Sequence, residues 1–91
     1  MGEKAVRSLR TAEYDKLLVL LKQLRKEANL TQLELCEKLG QEKTYVSKVE
    51  RGTRRFDVIE LFEYANALAL DPVEIVGRLK GLIGSDKRSP T

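Results

Sequence analysis

The chain has 91 residues, 42% of them hydrophobic and 34% charged, with a net charge of +3, no histidine and one cysteine. That is enough for one domain with a modest core, and the longest apolar run, residues 17–21, is far too short to cross a membrane. The single Cys36 excludes an intramolecular disulfide. Without histidine the usual zinc ligands are missing, and no activated serine, phosphate loop or acidic metal cluster stands out, so neither an enzyme nor a cofactor is expected.

Residues 1–10 carry a charge of +2 and no apolar stretch, which suits a flexible basic arm rather than a secretory signal. Beyond them the helical period recurs and no segment alternates with period two. Over residues 15–28, Leu17, Leu18, Leu21, Leu24 and Ala28 form one apolar stripe, and Asn29 suits a left-handed stop. Thr31 and Glu34 have capping-box spacing, with Leu35, Cys36 and Leu39 turned inward and Gly40 as the stop. A third helix is expected over 42–51, with Val46 and Val49 inward and Gly52 behind it. Asp57 and Glu60 cap a fourth, whose stripe is Val58, Leu61, Ala65 and Leu68. Asp71-Pro72-Val73-Glu74 opens a fifth, with a cap, a proline at the first helical position and an acid in the first turn.

The second and third helices, separated only by Gly40 and Gln41, are too short to persist alone. The expected fold is therefore all-α, a compact five-helix bundle built around a helix-turn-helix. Charge is divided along it: residues 41–55 carry +3, and residues 56–76 carry −5 with no basic side chain. Such a bipolar molecule is oriented by a polyanion, although solvated helix faces alone also account for it. With Val46 and Val49 inward, the third helix presents Lys43, Thr44, Ser47, Lys48 and Arg51, with no acid among them. Lysine donates to guanine O6 and N7, the threonine methyl meets a thymine methyl, and serine serves either role. The alternative is an ordinary polar surface.

The stretch Leu-Thr-Gln-Leu-Glu-Leu-Cys-Glu-Lys-Leu-Gly (30–40), followed by Thr-Tyr-Val-Ser-Lys-Val-Glu-Arg-Gly (44–52), resembles the Cro/C1-type helix-turn-helix family, also called the XRE family. Arg54-Arg55-Phe56-Asp57-Val58-Ile59-Glu60-Leu61 and Asn66-Ala67-Leu68 continue the likeness, which covers about residues 15–76. It implies the phage-repressor bundle, whose third helix enters the major groove of double-stranded DNA. Carried over by position, Lys43, Thr44, Ser47 and Lys48 reach base edges. Thr31, Gln32, Arg51, Arg54 and Arg55 then hold the phosphate backbone. Arg25 and Glu50 match a pair bracing the first helix against the end of the third, unless they form a mere exposed pair. Cys36 stands where the family usually has alanine and is read as packing rather than redox sensing. Ala69 replaces a frequent glycine, so mild strain is expected there. Glu42, at the threshold of the third helix, would repel a nearby phosphate, the alternative being that its acid stabilises the helix N-terminus, and Tyr45 is expected half in the core and half at the rim.

Ile75, Val76, Leu79, Leu82 and Ile83 extend an apolar stripe along the fifth helix. It is read as a two-fold dimer contact, the alternative being that it folds back on the first helix. The expected organisation is a basic arm over 1–10, a DNA-binding domain with its dimerisation helix over 11–83, and a disordered tail over 84–91. The expected function is a cytoplasmic, nucleoid-associated transcriptional regulator of bacterial or phage type. It would be a homodimeric repressor on an inverted-repeat operator, with no metal, membrane or small-molecule partner. A second reading stays open: an antitoxin-like module that binds a partner protein and represses its own promoter.

Overall fold

Helix boundaries in the computed structural model, which describes residues 11–84, follow the capping chemistry closely. Helix α1 (Ala12–Glu27) starts where the Thr11 hydroxyl accepts from the Tyr14 amide, and the chain leaves it through Asn29 at φ 61°. Helix α2 (Gln32–Leu39) carries both halves of the capping box. Thr31 Oγ1 accepts from Glu34 N–H at 3.0 Å, and Glu34 Oε1 accepts from Thr31 N–H at 2.9 Å. Gly40 then turns the chain at φ 68°, a left-handed conformation that a side chain would strain. Helix α3 is Tyr45–Arg51, and α4 (Val58–Ala67) repeats the box with Asp57 and Glu60. Helix α5 (Pro72–Ile83) opens on Asp71, whose carboxylate accepts from Val73 N–H, with Pro72 in the first turn.

Several expectations are corrected. Helix α3 begins at Tyr45 rather than Glu42, because residues 41–44 form the turn itself and Glu42 contributes its carbonyl, which accepts from Tyr45 N–H at 3.0 Å. Ala28 lies beyond the last turn of α1 and is exposed, while Leu20, outside the expected stripe, is 1% exposed. The reason is that α1 packs against both α3 and α5, so its buried face is wider than a single stripe. Val58 is 62% exposed at the start of α4. Ile75 is 1% exposed within the chain's own core and is not free for a second copy, while the half-buried Leu79 packs partly against that core. Gly84 caps α5 at φ 97°, whereas the basic arm (1–10) and the rest of the expected tail (85–91) lie outside the described residues.

The core gathers Leu20, Leu21 and Leu24 of α1, Leu35 and Cys36 of α2, the inner face of α3, and Leu61, Tyr64 and Ala65 of α4, closed by Phe56 and Ile75. Phe56 meets the Tyr64 ring edge-on, with centroids 5.0 Å apart. Helix α2 lies against α3 and α4, and α5 bridges α4 and α1. A two-pronged contact from Arg78 to Glu27 fastens α5 to α1 and holds the Glu27 carboxyl below the ordinary carboxylate range. Among the described residues no helix is long and apolar enough to cross a membrane.

Candidate nucleic-acid interface

What faces outward on α3 follows from what faces inward. Tyr45, Val46 and Val49 are fully or nearly buried, and 3.6 residues per turn then place Ser47, Lys48 and Arg51 on the opposite side. Lys43 and Thr44, in the turn before the helix, are exposed, and Ser47 and Lys48 are half-buried. The structure therefore brings Lys43, Thr44, Ser47, Lys48 and Arg51 to one end and one side of α3, as their spacing predicts. Glu42 does not serve the helix N-terminus. Its carboxylate lies 3.8 Å from Lys48 Nζ, a largely exposed contact worth ~0–1 kcal/mol.

Behind this surface lies a buried polar joint. Arg25 Nε donates to Glu50 Oε2 at 2.7 Å and Nη2 to Oε1 at 3.1 Å, while Nη1 donates to the Leu30 carbonyl at 2.8 Å. The two side chains are only 8% and 4% exposed, which rules out the exposed-pair alternative. The hydrogen bonding to Glu50 outweighs burial and raises the Arg25 pKa further, keeping the guanidinium charged. Gln32 Nε2 donates to Glu50 Oε1 at 2.9 Å. One of the two hydrogens on the Gln32 side-chain nitrogen is thus committed to the joint. Thr31 spends its oxygen on the Glu34 amide, leaving the hydroxyl proton to point elsewhere.

The loop after α3 holds a second joint that the sequence did not reveal. Arg54 pairs with Glu60 Oε2, donates to the Arg55 carbonyl, and lies with its guanidinium 4.7 Å from the centre of the Tyr45 ring. Tyr45 is 3% exposed, so it is core and not rim, and its hydroxyl donates to the same Glu60 oxygen at 3.1 Å. Burial first, and the nearby Glu60 carboxylate second, push that phenol above the ordinary tyrosine range. Glu60 is recognisable in the sequence as the far half of the α4 capping box, but nothing there assigns its second oxygen. Arg55, in contrast, is exposed. Cys36 is buried as expected, yet it does more than pack, since its Sγ accepts from Val46 N–H at 3.4 Å.

The apolar stripe of α5 divides. Val76 and Leu82 are 49% and 45% exposed, and Ile83 is half-buried. Further exposed apolar side chains sit where they were not expected, Ile59 and Phe62 on α4 and Val73 at the start of α5.

A short capped helix laid against a second, whose basic and hydroxyl-bearing side faces solvent, defines a helix-turn-helix protein. The comparisons agree. A helix-turn-helix family profile matches residues 21–75. An uncharacterised helix-turn-helix-type transcriptional regulator, y4dJ of Sinorhizobium fredii (strain NBRC 101917 / NGR234), is 45% identical over 53 residues, covering 58% of this chain and 69% of that one. Among solved structures, an XRE-family-like protein from Pseudomonas syringae pv. tomato str. DC3000 superposes with a TM-score of 0.75 at 36% identity, over 86% of this chain and 95% of the other. The wild-type restriction-modification controller protein C.Esp1396I gives 0.74 at 26% identity, over 81% and 96%. The chain belongs to the Cro/C1-type, or XRE, family of helix-turn-helix transcriptional regulators.

Proposed function

We propose that this regulator is a sequence-specific repressor that binds an inverted-repeat operator as a homodimer. The observation that carries the reading is the division of α3: Tyr45, Val46 and Val49 are held in the core while Lys43, Thr44, Ser47 and Lys48 stand outside, with Glu42 as the acid beside them. Lys43, Thr44, Ser47 and Lys48 read base edges in the major groove. Thr31, Gln32, Arg51, Arg54 and Arg55 flank them and take the phosphates, Gln32 through the N-terminal amides of α2 as well as the second hydrogen of its side-chain amide nitrogen. The unit that does this is residues 11–83, in the cytoplasm and without a cofactor.

The exposed apolar side chains Val76 and Leu82 of α5, flanked by Ile83, together with Ile59 and Phe62 of α4, support a second copy packed on this side. A two-fold axis there sets the two α3 helices one DNA turn apart, ~34–36 Å. The related controller protein of restriction-modification systems supports a regulatory role of this kind. The test is to bind the purified chain to a random duplex pool and sequence what it retains. An enriched inverted repeat is the expected result, and a pool that emerges unenriched refutes the reading. The exposed Ile59 and Phe62 also favour a second reading, an antitoxin-like module in which this face holds a different protein.

A further inference from the structure

The recognition helix is begun differently from every other helix described. Thr11, Thr31, Asp57 and Asp71 all have extended backbone, and each turns its side-chain oxygen back onto an amide of its own first turn. That geometry is what lets a cap residue reach the second or third helical amide. Thr44, at the same position before α3, has φ −98° and ψ −2°, in the helical region, and its side chain makes no cap hydrogen bond. Of the two amides such a cap can reach, those of Val46 and Ser47, the first belongs to a residue that is 0% exposed and out of reach of water. An orphaned buried amide is costly, so a partner is required. The partner comes from another helix, since Cys36 Sγ on α2 accepts from Val46 N–H at 3.4 Å. The neighbouring residue is held through its side chain instead, with Tyr45 donating its hydroxyl to Glu60 on α4 at 3.1 Å.

We propose that Cys36 and Glu60 are positioning residues that fasten the first turn of α3 from outside, and so leave the exposed Thr44 hydroxyl and methyl free for a base edge. The proposal rests on the DNA-reading role given above. A threonine that caps its own helix has turned its oxygen inward and lost that freedom. Here the capping task passes to a thiol that DNA never meets. The same arrangement fixes where Thr44 stands, because the turn carrying it is tied to α2 and α4 at once.

The test uses the full chain and the variants Cys36→Ala, Cys36→Ser, Glu60→Gln, Thr44→Val and the double variant Cys36→Ala/Thr44→Val. Amide exchange at Val46, followed by NMR, should quicken about tenfold in Cys36→Ala and return to within about threefold of wild type in Cys36→Ser, whose hydroxyl restores an acceptor. Base selectivity is measured on the duplex enriched from the random pool against single-base variants of it. It should fall about threefold to tenfold in Cys36→Ala and in Glu60→Gln, with helix content kept. Thr44→Val should then cost less in the Cys36→Ala background than in wild type, because the contact it removes is already misplaced. Unchanged Val46 exchange in Cys36→Ala, or a Thr44→Val cost that is the same in both backgrounds, overturns the proposal. Should Cys36→Ala not fold, Glu60→Gln decides, and wild-type selectivity in that variant is the overturning result. A wild-type chain that enriches no duplex removes the DNA-reading role and with it the part given to Thr44. An enriched duplex with Cys36→Ala indistinguishable from wild type removes the fastening alone.

Discussion

Replacing Arg25 by methionine is the sharpest test of how the recognition helix is braced. The substitution keeps most of the side-chain length and removes three hydrogen bonds, two to Glu50 and one to the Leu30 carbonyl. Glu50, 4% exposed at its side chain, is left with Gln32 Nε2 as its remaining partner in the joint. Breaking one side of a buried pair costs ~3–5 kcal/mol, because the surviving charge stays desolvated. For a domain of this size each kcal/mol moves the midpoint by ~4–8 °C, so Arg25→Met should lower the melting temperature by roughly 15 °C or more. Removing both charges, with Arg25→Met and Glu50→Met together, should recover most of that loss, since two apolar side chains of similar volume carry no stranded ion. Urea unfolding of the two single variants and the double gives the coupling directly. If Arg25→Met costs less than ~1 kcal/mol, or the double variant loses as much as the two singles added, the joint is not the brace described.

Three smaller changes test other parts of the structure. Lys43→Ala or Lys48→Ala should weaken binding to the enriched duplex by ~1–3 kcal/mol and relax selectivity at one base pair, measured by fluorescence anisotropy; full retained selectivity would move the reading surface elsewhere. Ala69 holds φ 60°, a left-handed conformation costly for a residue with a side chain, so Ala69→Gly should stabilise the fold by about 1 kcal/mol in urea unfolding. The Tyr64 hydroxyl is buried without a hydrogen-bond partner among the described residues, and burial pushes its pKa above the ordinary range. Tyr64→Phe should therefore be neutral or stabilising by up to about 1 kcal/mol, and a loss above ~1 kcal/mol would reveal a partner for that hydroxyl.

Helix starts and stops were legible because capping is local: Thr31 with Glu34 and Asp57 with Glu60 each lie within four consecutive residues, as does the turn at Gly40. The start of α3 was not, because Thr44 caps nothing and the groups that replace it are distant in sequence, Cys36 on one side and Glu60 on the other. The outward set on α3 was legible from two inward valines. Gln32 and Arg54 gain an intramolecular partner on folding for a common reason. Each polar side chain stood near an acid that only the tertiary structure supplied, Glu50 for Gln32 and Glu60 for Arg54. Periodicity marked the α5 stripe as apolar but not which part the chain would bury for itself. Ile75 was taken by the core, whereas Ile59 and Phe62 were left outside on a helix whose core stripe runs through Leu61 and Ala65.

The placing of charge makes a final separation between a second copy and a different partner. Residues 56–76 carry −5 with no cation, and Glu63 and Glu74 are exposed beside Phe62 and Val73. In a two-fold contact across α4 and α5 these acids would outnumber the cations Arg78 and Lys80 of α5, so self-association would work against net repulsion. Salt at about 0.5 M shortens the screening length to well under the ~10 Å that holds at 0.1 M, and should strengthen the dimer. DNA binding must respond in the opposite sense. If Arg51, Arg54 and Arg55 each neutralise a phosphate in both copies, the logarithm of affinity should fall with the logarithm of salt at a slope of about −5. Arg55→Ala should flatten that slope by roughly 2 for the dimer. Sedimentation velocity and anisotropy across one salt series measure both. A dimer that dissociates as salt rises would refute the like-charged two-fold contact, and would point to an acidic face built to hold a basic partner.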